Sequence, residues 1–120
     1  MDSTIKILSE IGIDVSSAIK RIGGNELLYI NILKKFLKDD NYQRFHLSFA
    51  AKDFQTSEIC IHTLKGIAAN LGFIKLEGIC KSILRGISIM KPNLLEQDIS
   101  NLDEEYYKII KILIKISQST

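Results

Sequence analysis

From Leu95 to Ile116, the residues Leu95, Ile99, Leu102, Tyr106, Ile109, Leu113 and Ile116 recur at alternating steps of four and three. That spacing keeps one stripe of a helix continuously apolar, and a long helix of this kind cannot bury its stripe alone. It must pack against other helices, so this segment sets the fold class. Lys111 to Ile116 also alternates polar and apolar, as a strand would. The helical spacing begins sixteen residues earlier and runs without a break, which decides for helix.

Residue usage needs care upstream. The chain has 22 Ile against a single Val, Val15, and 13 Lys against 3 Arg. Abundant Ile is therefore poor evidence for strands, and spacing has to decide. Residues 1–13 are weakly patterned, with Ile5, Leu8 and Ile11 at helical steps. Asp14 suits the N-cap of a short helix carrying Val15, Ala18, Ile19 and Ile22, which Gly23-Gly24 ends. Asn25 can cap the next helix, with Glu26 in its first turn. Leu27, Ile30, Leu33 and Leu37 form its stripe, with Phe36 beside it. Asp39-Asp40-Asn41 is a polar break or a register shift, after which Tyr42, Phe45 and Phe49 resume the spacing up to Ala51. Lys52-Asp53 reads as a short turn.

The following helix spans about 54–71, with Cys60, Ile61, Leu64, Ile67, Ala68 and Leu71 inward. Gly72 fits the left-handed position past its end, with Phe73 folding back onto Ala68. Another spans about 75–89, with Leu76, Ile79, Cys80, Ile83 and Ile87 inward, and Met90-Lys91-Pro92-Asn93 breaks it. The pattern predicts an all-α fold: an antiparallel four-helix bundle with a short extra N-terminal helix, in a single domain over 1–120.

Several function classes are disfavoured. With 25% charged and 46% hydrophobic residues, the chain has ordinary globular composition. A net charge of +2 gives little attraction to nucleic acid or to an anionic membrane surface, and neither is expected as a partner. No apolar run is long enough to cross a bilayer, and the first residues do not read as a signal peptide, so a cytoplasmic location is expected. Cys60 and Cys80 then read as two buried thiols. The two histidines stand sixteen apart without a nearby carboxylate pattern, which disfavours a metal site. There is no Gly-rich phosphate loop, and no cofactor or ATP-splitting activity is expected.

The informative segment is Ile61-His62-Thr63-Leu64-Lys65-Gly66-Ile67-Ala68-Ala69-Asn70-Leu71-Gly72. On a helix, His62, Lys65, Gly66 and Ala69 share the face beside the apolar stripe, because residues three and four apart are neighbours. A glycine inside a helix costs about 1 kcal/mol relative to alanine, and no turn here requires one. Its use lies in the missing side chain. Gly66 and Ala69 leave cleared space beside an imidazole, and Lys65 would attract an anion to it. A nucleophile, a cation and room on one helical face suit a phosphoryl group moving on and off His62. An imidazole that is mostly neutral near pH 7 offers a lone pair without needing a general base. His46, followed by Leu47-Ser48-Phe49-Ala50, lacks both lysine and glycine and reads as structural or surface. Lys108, Lys111 and Lys115 read as a solvated helical face.

The segment resembles the histidine-containing phosphotransfer (HPt) domain family, whose motif is His-x-x-Lys-Gly followed by small residues and a Leu-Gly or similar helix end. Gly12-Ile13-Asp14-Val15, Ile22-Gly23-Gly24-Asn25-Glu26-Leu27-Leu28-Tyr29 and Ala50-Ala51-Lys52-Asp53-Phe54 are similar to its upstream stretches. The likeness covers roughly residues 12–90, and the last helix matches in pattern only. It implies a phosphorelay intermediate and not an enzyme. His62 would accept a phosphoryl group from an aspartyl phosphate on one receiver domain and pass it to another. Lys65 would stabilise the charge, and Gly66 would supply clearance. Ala69 would meet the partner. Implied partners are receiver domains and a hybrid sensor kinase, with magnesium on the receiver and this chain a monomer. The chain would be free-standing or the C-terminal module of such a kinase. Many members place a polar residue, often Gln, on the next helix beside the imidazole; ungapped counting puts Leu84 there. The competing reading is a helical module that docks receivers without chemistry.

Overall fold

The computed structural model describes residues 2–118, which contain helices and no strand. The helices are α1 (Asp2–Glu10), α2 (Val15–Arg21), α3 (Glu26–Phe36), α4 (Asn41–Ala50), α5 (Phe54–Leu71), α6 (Ile74–Ser88) and α7 (Glu96–Gln118). A 3-10 turn, Pro92–Leu95, leads into α7. The all-α expectation holds, but α1 is a further helix, so two helices precede α3.

The caps follow local chemistry. Asp14 accepts the Ser17 N–H at 3.2 Å, and Asn25 accepts the Leu28 N–H at 2.9 Å. Asp53, read from the sequence as part of a turn, is the N-cap of α5. Its carboxylate accepts the Thr56 hydroxyl at 2.6 Å and the Thr56 N–H at 3.2 Å. Those bonds hold the Asp53 carboxyl below its ordinary 3.8. The stabilisation they give is complete at neutral pH and is lost as pH falls through that lowered value.

The polar stretch at Asp39-Asp40-Asn41 is a true break and not a register shift. Asp39 accepts the Asn41 N–H at 3.1 Å and its side-chain amide at 2.8 Å, which starts a new helix. The inward face of α3 also differs from expectation. Tyr29, Ile30, Leu33 and Phe36 are buried, whereas Leu27 is 68% exposed in the first turn. Tyr29 is tolerated inside because its hydroxyl donates to the Leu71 carbonyl at 2.7 Å. Leu37 lies past the end of α3 and is half-buried.

α5 packs between α4 and α6, and α6 packs against α7. Tyr42 of α4 stacks on Tyr106 of α7, centroids 3.8 Å apart, and donates its hydroxyl to Asp103 at 2.6 Å. The seam on α7 lies inward as its spacing predicted: Leu95 just before the helix, Leu102, Tyr106, Ile109, Leu113 and Ile116 are buried, and Ile99 half-buried. Cys60 and Cys80 are buried and free.

α4 and α6 end in the same turn, with a non-glycine residue in left-handed conformation. Lys52 and Met90 each have φ near 58°, and the next amide reaches back to Ser48 and Gly86 at 2.9 and 3.1 Å. A side chain in that conformation costs about 1 kcal/mol, which glycine avoids. Lys52→Gly and Met90→Gly should each raise stability by up to about 1 kcal/mol in denaturant unfolding. A loss of stability in both would show that these side chains make compensating contacts.

Candidate functional site

Helix α5 buries Ser57, Cys60, Ile61, Leu64, Ala68 and Leu71. With that stripe inward, the opposite side must face solvent. His62 and Gly66 are exposed, while Lys65 and Ala69 are half-buried at the margin. The helix therefore brings the four residues together on consecutive turns, as their spacing required. Among the described residues, the His62 side chain has no hydrogen-bond partner, and its imidazole stands free on the outer face of the helix.

Lys65 lies at the margin between the buried stripe of α5 and solvent. Burial pushes the Cys80 thiol up to about 12, and the Lys65 ammonium acts against that shift while the Glu77 carboxylate adds to it. The thiol stays protonated. Glu77 pairs along α6 with Lys81 at 3.6 Å. Leu84, the residue counted toward the imidazole, is half-buried against the core. Among the described residues no side chain of α6 hydrogen-bonds His62, so a polar partner for the ring is not supplied from this helix.

The glycines separate by their surroundings. A Cβ added at Gly66 would meet nothing within 4 Å. At Gly86, also inside a helix, it would strike the Leu95 side chain. Gly86 is thus required by packing, and Gly66 is not. Gly78 on α6 is a second exposed, open glycine within a helix, which periodicity alone did not single out.

Two further residues complete the surroundings. Ile59 lies three residues before His62 and is 58% exposed, an apolar side chain on the outer face of α5. Its position off the buried stripe was readable in the sequence. Arg21 of α2 was not. Its guanidinium donates to the carbonyls of Ala69 and Asn70 at 2.6 and 3.3 Å, capping the last turn of α5. Only the tertiary fold brings it there.

His46 behaves differently. It is half-buried, with Nε2 2.6 Å from Asp103 Oδ1 and its ring edge-on to Tyr42 at 4.8 Å. This imidazole is tied to α7, in keeping with its structural reading. No group of three or more His, Cys, Asp or Glu side chains placed to hold a metal occurs among the described residues.

No family model, no curated protein and no solved structure matches this chain.

The contrast between the glycines gives a direct test. Gly66→Ala should raise stability by up to about 1 kcal/mol, because it removes the helix cost of glycine in open space. Gly86→Ala should lower it by about 1–3 kcal/mol through overpacking against Leu95. Denaturant midpoints of the two variants check this, and destabilisation by Gly66→Ala would mean that its face is covered.

Proposed function

We propose that the chain is a histidine phosphotransfer domain in which His62 carries the phosphoryl group. The supporting observation is the combination on α5: an exposed imidazole without a partner, a marginal lysine one turn on, and a glycine whose missing side chain serves no packing need. The arrangement of α3 and α4 with α5, α6 and α7, preceded by the N-terminal helices, is read as the four-helix bundle of such domains. α3 and α4 then act together as one broken helix of the bundle.

The chemistry follows from the placement. The His62 ring nitrogen that bears the lone pair attacks phosphorus of an aspartyl phosphate on a receiver domain. A nitrogen–phosphorus bond forms, the acyl phosphate phosphorus–oxygen bond breaks, and the aspartate leaves as a carboxylate. The other ring nitrogen keeps its proton. The reverse sequence delivers the group to a second receiver. Lys65 offsets the charge on the phosphoryl oxygens. The receiver approaches over Gly66 and Ala69, where nothing larger than a methyl group stands on the helix, and the exposed Ile59 offers it apolar contact. The receiver supplies the magnesium ion. Cytoplasmic placement and the monomeric state belong to the same proposal; no helix among the described residues is long and apolar enough to cross a membrane.

Incubation with a phosphorylated receiver domain tests the reading. His62→Gln should fold with an unchanged helical spectrum and take up no label, whereas His46→Gln should still be labelled. Lys65→Ala should transfer more slowly, by roughly tenfold or more, if the lysine contributes a charge-assisted contact of about 1.5 kcal/mol. Labelling of His62→Gln at the parent rate would refute the assignment.

A further inference from the structure

A second constellation lies between α4 and α7 and includes no residue of α5. Tyr42, Gln43, His46, Leu47, Asp103 and Tyr107 line an open cleft of about 470 Å³. Its centre is Asp103. The Tyr42 hydroxyl donates to Asp103 Oδ1 at 2.6 Å, and His46 Nε2 lies 2.6 Å from the same oxygen. For both to bond an ionised carboxylate, each must donate, so His46 carries its proton on Nε2. The two bonds come from residues one turn apart on α4 and lock the carboxylate in place.

Both bonds fall on Oδ1. Oδ2 has no hydrogen-bond or ion-pair partner among the described residues, although the side chain is only 38% exposed. A fixed carboxylate with one committed oxygen and one open oxygen presents its remaining lone pairs in a defined direction. Tyr107 stands beside it, 59% exposed, with its ring edge-on to Tyr42 at 5.7 Å. Leu47 forms the apolar wall and is 74% exposed. Tyr107 and Leu47 are large apolar surfaces left in water in the same cleft as the carboxylate.

We infer that this cleft binds the guanidinium of an arginine side chain carried by a partner polypeptide. A guanidinium is planar and always charged. It can donate to Oδ2 while its face stacks on the Tyr107 ring, and its apolar stem can lie along Leu47. An ammonium could satisfy the carboxylate but would stack poorly and holds its water more strongly. The cleft is open and formed by two convex helices, so it cannot enclose a free small molecule. It can receive a side chain that the rest of a polypeptide holds in place. The inference does not depend on the role given to His62.

Titration of the full chain with blocked tripeptides, followed by amide and side-chain NMR shifts, tests it. The probes are acetyl-Ala-Arg-Ala-amide and the same peptide with lysine or citrulline in place of arginine. The arginine peptide should shift Gln43, His46, Asp103 and Tyr107 together. The citrulline peptide, nearly isosteric but uncharged, should bind at least about tenfold more weakly, as expected when one charge-assisted contact is lost. The lysine peptide should fall between them. Asp103→Asn keeps an oxygen for Tyr42 and His46 and should remove the preference for arginine over citrulline. Tyr107→Ala, at an exposed position that leaves folding intact, should weaken the arginine peptide and narrow its advantage over lysine. Absence of shifts at the cleft, equal binding of arginine and citrulline peptides, or an arginine preference that survives both substitutions would overturn the assignment.

Discussion

The turn at Gly72 fixes how α5 presents its outer face. Gly72 has φ near 82°, and an added Cβ would collide with the Asp14 carbonyl. The contact is close because the Asp14 N–H donates to the Gly72 carbonyl at 2.8 Å. Three elements meet at this point: the start of α2, the end of α5 and the start of α6. The Phe73 N–H returns to the Ala68 carbonyl at 2.8 Å, and the Phe73 side chain is buried beneath. Arg21, Tyr29 and Gly72 together occupy the carbonyls and the turn that end α5. With that end held, the rotation of α5 about its axis is set by its buried stripe, and His62 is left on the outside.

Glycine does three different things in this chain. At Gly72 it permits a left-handed turn and a close backbone approach. At Gly86 it makes room for Leu95, so that the 3-10 turn can return the chain onto α6. At Gly66 it does neither, and open space surrounds it. Gly78 shares that open setting, so what sets Gly66 apart is its place beside His62 and Lys65 on α5. A histidine alone would not carry the functional reading, since His46 is also a histidine and is spent on a bond to Asp103.

Much of this was legible in the sequence because helical periodicity is a strong signal. The seam from Leu95 to Ile116 gave α7, and the stripe through Cys60, Ile61, Leu64 and Ala68 oriented α5 and so exposed His62. Asp14, Asn25 and Gly72 announced their caps by local chemistry. Other features depend on distant residues and left no local trace. Arg21 reaches carbonyls 48 and 49 positions away. Tyr42 and His46 meet Asp103 across 61 and 57 positions. Leu27 looked inward by spacing, but Tyr29 took the inward place because its hydroxyl found the Leu71 carbonyl. Lys52 and Met90 adopt a conformation their residue types disfavour, and no sequence rule would place them there.

The central claim is that His62 exchanges a phosphoryl group with receiver aspartates. The most direct measurement is to mix the chain with a receiver domain phosphorylated by a small acyl phosphate, quench in alkali, and map the modified residue by mass spectrometry. The account predicts an acid-labile, alkali-stable phosphate on His62 that disappears when unphosphorylated receiver is added. Failure to phosphorylate the chain across a panel of receivers, or a phosphate found on His46 in place of His62, would contradict it.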